Sequence, residues 1–187
     1  MLRDLQNNFP WSRAVWARLI EKLSDAGAKV IVFDLVFASQ GDGDEALRQA
    51  LEKYKDRVVI GYNINVGSTE RGEVRELLLP NSPGLVPKTT NSAVEDERLG
   101  YVNLWPDFDG TLRRVDYRLT GAQIGHLVPD EVVLESIDAR TLRKFGRPDL
   151  IPPGFDSRLF RYTAPATYGY KPQPVGDVLS PELWEKN

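Results

Sequence analysis

Residues 9–39 read FPWSRAVWARLIEKLSDAGAKVIVFDLVFAS. The first half has the spacing of an amphipathic helix. Val15, Trp16, Leu19, Ile20 and Leu23 recur at one face of a 3.6-residue period, and Arg13, Arg18, Glu21, Lys22 and Asp25 fall mostly on the other. Pro10 suits a first helical position, Ser12 is an alternative N-cap, and Gly27 is placed for a left-handed C-cap. Val30 to Phe37 then form a β-branched and aromatic run, too short to span a membrane. A strand so apolar on both faces belongs inside a sheet covered by helices. Asp34 interrupts it, and a carboxylate there needs a partner or a wet cleft.

The unit repeats its logic downstream. Gly41, Asp42 and Gly43 make a loop, and Asp42 or Asp44 can cap a second helix lined by Ala46, Leu47, Ala50, Leu51 and Tyr54. Val58 to Ile64 follow as a second strand. Strand, helix and strand within about 40 residues form a βαβ unit, so the strands starting near Lys29 and Arg57 should lie side by side and parallel. Residues 67–99 are polar and broken by Pro80, Pro83 and Pro87, with a short element at Val74–Leu79 in a surface excursion. Gly100–Trp105 and Leu112–Thr120 flank Pro106–Thr111, an Asp-Gly hairpin signature. Val115, Tyr117 and Leu119 alternate with Arg114, Asp116 and Arg118, which predicts one wet face. A third helix is expected from Pro129 to about Phe145, stopped by Gly146. Beyond Arg147 the chain turns proline-rich, with a strand candidate at Ser157–Thr163 and helical turns at Gly176–Leu179 and Pro181–Trp184. The expected architecture is one α/β domain over residues 1–187. Its mixed, largely parallel central sheet is flanked by helices, with an antiparallel hairpin around the DFDGT turn and an irregular portion over 147–187.

Composition narrows the chemistry. At 187 residues, 41% hydrophobic and 27% charged, the chain can bury a core of ordinary globular type. A net charge of −3 disfavours nucleic acid as a partner. There is no cysteine and one histidine, His126, which excludes a Cys/His zinc site and a cysteine nucleophile. No G-x-S-x-G elbow accompanies His126 to suggest a serine triad. No cofactor is called for.

Asp107-Phe108-Asp109-Gly110-Thr111-Leu112 resembles the nucleophile motif of haloacid-dehalogenase-like phosphohydrolases. There one Asp attacks phosphorus, the second works as acid and base, and magnesium holds the phosphate. Pro106 stands where that family has a continuous apolar strand, and no paired-Asp motif follows to complete a magnesium site. As half of a calcium loop the string is spoiled by Arg113 and Arg114. The plain reading is a tight turn in which Asp107 and Asp109 accept backbone N–H groups and Gly110 supplies a positive φ.

Several blocks together resemble the second class of CHASE domain, the cyclase/histidine-kinase-associated sensory extracellular domain. They are FPWSR and ARLIEKLSDAGAKVIVFDLVF at residues 9–13 and 17–37, GDGDEAL at 41–47, GYVN and DFDGTLRRV within 100–115, HLVP at 126–129, and LFRYTAPATYGYKPQPVGDVL at 159–179. The resemblance implies a non-catalytic sensor in the periplasm or outside the cell, carried by a membrane protein whose flanking transmembrane helices relay the signal. The implied output is a nucleotide cyclase, a diguanylate cyclase or a protein kinase such as a histidine kinase. It implies an unknown small-molecule or protein signal; a homodimer is the expected relaying unit, because membrane helices commonly pass signals through paired subunits. Family members usually continue with a further apolar strand after the point where this sequence ends.

Ligands of open α/β sheets bind beyond the carboxyl ends of the strands. Asp34 therefore either contacts a ligand or pairs with an arginine such as Arg13 or Arg113. Phe37, Ser39 and Asp42 are expected at the same edge. Asp107, Asp109 and Arg113 complete the candidate set: Arg113 can grip an anion, or neutralise the two aspartates beside it. Trp11, Trp16 and Trp105 read as core or interface anchors.

Overall fold

The computed structural model describes residues 10–69, 72–80, 85, 90–162, 172 and 174–180. Helix α1 spans Arg13–Asp25. The Ser12 hydroxyl oxygen accepts the Ala14 N–H at its start. At its end Gly27 takes φ +85°, the Gly27 N–H reaches the Ser24 carbonyl, and the Ala28 N–H reaches Leu23. That paired closure is a Schellman motif, which satisfies the last carbonyls and turns the chain toward the sheet. Strand β1 (Ile31–Phe33), helix α2 (Asp44–Lys53) and strand β2 (Val58–Thr69) follow. β1 and β2 are parallel, with Ile31 opposite Val58 and Phe33 opposite Ile60. The expected βαβ unit is present.

β2 is the central strand. Its first half also pairs in parallel with β4 (Leu99–Tyr101), Ile60 opposite Leu99 and Tyr62 opposite Tyr101. Its second half runs on and pairs antiparallel with β3 (Gly72–Leu78). Beyond Tyr101 the Asn103 side chain imitates a peptide group, accepting the Ile64 N–H at 2.7 Å and donating to the Ile64 carbonyl at 2.9 Å. A side-chain amide thus carries the ladder two residues past the strand. Helix α3 (Thr90–Glu95) leads into β4.

Alternation along the strands separates two faces. Ile31, Phe33, Val58, Ile60, Tyr62, Leu99 and Tyr101 belong to the main core, which also takes Trp16, Leu19 and Ile20 of α1 and Leu47 and Leu51 of α2. Gly61 and Gly100 lie on the other face. There a Cβ on Gly100 would stand 2.5 Å from the Ile137 Cα, at the start of helix α4 (Ile137–Phe145). α4 runs back across the sheet, sealed at its end by Gly146 at φ +82°.

The mixed, largely parallel sheet with flanking helices agrees with expectation; several boundaries differ. β1 stops at Phe33, and further along the Gly61 N–H reaches the Leu35 carbonyl. The runs flanking the DFDGT turn do not pair with each other. β5 (Arg114–Val115) pairs with β8 (Arg158–Leu159), and β6 (Arg118–Thr120) pairs with β7 (Val133–Glu135). The third helix begins only after Ser136, because Val133–Glu135 is taken up as a strand. The excursion over 67–99 holds β3 and α3. Helix α5 (Val175–Leu179) packs on α1. Pro83, Pro87, Thr163 and the helical turn at Pro181–Trp184 lie outside the described residues.

Candidate functional site

The carboxyl end of β1 opens into a loop, residues 34–43, that is tied to the first turn of α1. The Arg13 N–H donates to the Asp42 carbonyl at 2.6 Å, and the Ser12 hydroxyl donates to the same oxygen at 3.1 Å. The Arg13 guanidinium lies 4.6 Å from the centre of the Phe37 ring and donates to the Ser39 carbonyl at 3.3 Å. Its Nε stands 3.6 Å from Asp44 Oδ1. That separation is too long for a hydrogen bond, so an enclosed donor and an enclosed acceptor face each other unsatisfied. Asp44 Oδ2 takes the Gly41 N–H at 2.9 Å. Gly43 serves as the N-cap of α2 at φ +79°, where a Cβ would meet the Ala14 nitrogen at 2.4 Å.

Beside this junction is an open cleft of about 560 Å³ lined by Gln40, Gly41, Asp44 and Glu45. Hydrogen bonds from Arg48 and Gln49 hold the Glu45 carboxyl down at about 2, so it is anionic at any physiological pH. The cleft offers acceptors: two carboxylates and the Gln40 carbonyl. It suits a small ligand rich in hydrogen-bond donors.

The expected site residues divide. Ser39 and Asp42 are exposed and belong to the loop beside the cleft, holding Arg13 and Ser12 through their carbonyls. Phe37 is 1% exposed and packs against Trp16 and Phe33, so it is the floor under Arg13 and not a surface contact. Asp34 is exposed and pairs with neither arginine. Arg13 turns to Asp44, Arg113 turns to Asp107 and Asp109, and Asp34 has no ion pair among the described residues. Trp16 is a core anchor, whereas Trp105 is partly exposed and leans on Tyr101.

The charge of Asp34 acts instead on Asp138, in the first turn of α4. Protein crowded around Asp138 raises its carboxyl pKa, and repulsion from Asp34 adds to the rise. These effects outweigh the attraction of a helix N-terminus for a carboxylate. A carboxyl raised by folding favours the native state when protonated and opposes it when ionised. Asp138→Asn is therefore expected to stabilise the fold at neutral pH, by at most about 1 kcal/mol, since solvent still reaches the partly covered carboxyl. The gain should vanish as the pH falls below the ordinary carboxylate range. Thermal melts of both proteins from pH 7 to pH 3 check this, and a gain that grows toward acid would contradict it.

Asp107, Asp109 and Arg113 come together in a stapled turn. The Gly110 N–H reaches the Asp107 carbonyl at 2.8 Å, and the Asp107 N–H reaches Thr111 at 3.0 Å. Arg113 donates to Asp107 at 3.0 Å and to both oxygens of Asp109 at 2.9 and 2.8 Å. Those bonds bring the Asp109 carboxyl down to about 2. Both carboxylates are engaged by one arginine, and β4 ends at Tyr101, so no strand delivers Asp107 as a nucleophile. Among the described residues no hydrogen bond or ion pair joins this turn to the 34–44 loop, and no cluster of three metal-ligating side chains occurs.

A buried ionic hub escaped the sequence reading. Glu135, 6% exposed, accepts from Arg143 at 2.6 Å and pairs with Arg140 at 3.1 Å. Arg140 also donates to the Leu99 carbonyl at 3.1 Å and the Val94 carbonyl at 3.2 Å. One side chain thereby joins α4, β7, α3 and β4. At the amino edge of the sheet, Asp56, Glu97, Arg140, Arg143 and Lys144 line a cavity of about 310 Å³. Lys144 donates to the Lys55 carbonyl, and burial lowers its pKa.

Against known proteins, the family model of the CHASE2 domain matches residues 2–181, nearly the whole chain. No curated protein and no solved structure matches it.

Proposed function

Since the chain belongs to the CHASE2 domain family, a family of extracellular sensory domains, we propose that it receives its signal in the cleft between β1 and α2. It is non-catalytic and passes the signal to the output domain of a parent membrane protein, a nucleotide cyclase, a diguanylate cyclase or a protein kinase. The observation that carries the site is the unsatisfied pair, Arg13 Nε and Asp44 Oδ1, enclosed where the start of α1 meets the start of α2. A ligand donor arriving at Asp44 would change its pull on Arg13. Arg13 in turn holds the Ser39 and Asp42 carbonyls, so the entry of the chain into α1 would shift with occupancy. A signal of this kind selects between two arrangements of differing ligand affinity, which membrane helices of paired subunits can relay. No helix among the described residues is long and apolar enough to cross a membrane; the relay is assigned to flanking segments of the parent.

Thermal denaturation of the 187-residue protein against a panel of amines, amino acids and small polyols tests the reading. A binder at a hundred times its Kd should stabilise by about 2.7 kcal/mol, several degrees in Tm. Asp44→Asn keeps the acceptor for the Gly41 N–H but removes the charge, and should cut the response at least tenfold in concentration. A stabilising compound whose effect is unchanged in Asp44→Asn would place the site elsewhere.

A further inference from the structure

The cavity of about 310 Å³ at the amino edge of the sheet is lined by charges of both signs. Arg140, Arg143 and Lys144 come from α4, whereas Asp56 and Glu97 come from the segments that enter β2 and β4. Opposite charges sharing a cavity ordinarily close into ion pairs. Here Asp56 and Glu97 have neither an ion pair nor a side-chain hydrogen bond among the described residues. Glu97, Asp56 and Asp96 all pull on Lys144, yet burial outweighs them and lowers its pKa. Asp96 is itself taken by Arg98 at 2.7 Å. Lys144 has therefore given up water without a carboxylate in contact to replace it. Donors are left over as well. Arg143 spends Nε and Nη2 on Glu135 and keeps Nη1, and Lys144 spends one of its three ammonium protons on the Lys55 carbonyl. Arg140 is engaged by Leu99, Val94 and Glu135 and lends the cavity only its charge.

We propose that this cavity binds a small zwitterion, an α-amino acid, with its carboxylate on Arg143 Nη1 and Lys144 Nζ and its ammonium on Glu97 and Asp56. The charge pattern selects that class. A simple anion drawn to Arg143 and Lys144 would share the cavity with two carboxylates. A simple cation drawn to Glu97 and Asp56 would share it with three cationic side chains, of which Glu135 offsets one. A molecule carrying both charges on one carbon meets each sign with its opposite and bridges side chains that do not reach each other. Size and lining agree. The cavity is at the lower end of the roughly 300–1,000 Å³ of ligand sites, and five charged side chains offer an apolar ligand nothing. This site lies at the opposite end of the strands from the cleft between β1 and α2 and does not rest on that reading, so either can fail alone.

The test is thermal denaturation of the 187-residue protein with each of the standard amino acids, followed by calorimetric titration of any that stabilises. A binder at a hundred times its Kd should raise Tm by at least about 5 °C. Its amide, which lacks the carboxylate, and its N-acetyl derivative, which lacks the ammonium, should each bind at least about tenfold more weakly. Glu97→Gln and Lys144→Met should each weaken the amino acid by a similar factor. Glu97 is exposed, so Glu97→Gln keeps the test decisive if Lys144→Met fails to fold. A rise in Tm for none of the amino acids would overturn the proposal, as would undiminished binding of either derivative or by either folded variant. An amino acid lost in Asp44→Asn but kept in Glu97→Gln would also overturn it, because that binder belongs to the other cleft.

Discussion

Glu135→Ala is expected to lower stability by about 3–5 kcal/mol, which at roughly 2–4 °C per kcal/mol for a domain of this size is a loss of at least about 6 °C in Tm. The loss comes less from the departing carboxylate than from what it leaves behind. Arg140 is 8% exposed and cannot turn to water without withdrawing from the Leu99 and Val94 carbonyls. An uncompensated guanidinium would remain buried against the Leu99 and Val94 carbonyls. Arg143 reaches the same carboxylate from a half-exposed position, so Arg143→Ala should cost no more than about 1 kcal/mol. Removing both buried charges, as Glu135→Leu with Arg140→Met, should recover part of the loss. Recovery stays incomplete because two buried carbonyls lose their donor. Urea denaturation of the three variants decides it; a Glu135→Ala protein within about 1 kcal/mol of the parent would show that the hub is already hydrated.

What could be read from the sequence follows the range of the interactions involved. Ser12, Gly27 and the apolar stripe of α1 act within one helix, and the expected helix and its glycine turn appear where the pattern puts them. The parallel pairing of β1 with β2 was legible because a short helix between two apolar runs leaves few alternatives. The turn at Asp107–Gly110 was equally local: Gly110 takes its positive φ and Asp109 accepts the Thr111 N–H, but the Asp107 carboxylate accepts from Arg113 in place of the expected backbone N–H. The partners of its flanking runs were not, because Arg114–Val115 and Arg118–Thr120 pair with segments 158–159 and 133–135 that no local signal connects to them. Val133–Glu135 is too short for a period of two to declare itself, and its Leu134 also fits the stripe of the following helix. Ser136 was the missed marker: its side chain accepts the Ala139 N–H, and a serine after an apolar run is a helix start. The candidate cleft was half legible as geometry. The Ser39–Asp42 loop lies beside the cleft as sheet topology requires, yet Phe37 turned inward because an aromatic cluster with Trp16 and Phe33 was available to it. Glu135 gave no warning at all, since the arginines that permit its burial lie on the next helix.

The second large effect is expected from the smallest substitution. Gly100→Ala adds one methyl group on the α4 face of β4, where the new carbon would meet the Ile137 Cα at 2.5 Å, the Ile137 nitrogen at 2.6 Å and the Ser136 carbonyl carbon at 2.8 Å. All three are backbone atoms, so no rotamer change relieves the contact; the start of α4 must move away from the sheet. That start is fixed three ways. Ser136 bridges to Tyr101, the Ser136 N–H reaches the Tyr117 carbonyl at 2.9 Å, and Arg140 one turn later is bound to the Leu99 carbonyl. Displacement therefore strains the hub as well as the helix, and the cost should reach about 3 kcal/mol, the upper end for overpacking. Gly110→Ala is the control. Its φ of +78° also disfavours a side chain, but no atom lies within 4 Å of the added carbon, so it should cost about 1–2 kcal/mol from backbone strain alone. If melting placed Gly100→Ala nearer the parent than Gly110→Ala, the close approach of α4 to the sheet, and with it the layer order of the domain, would be refuted.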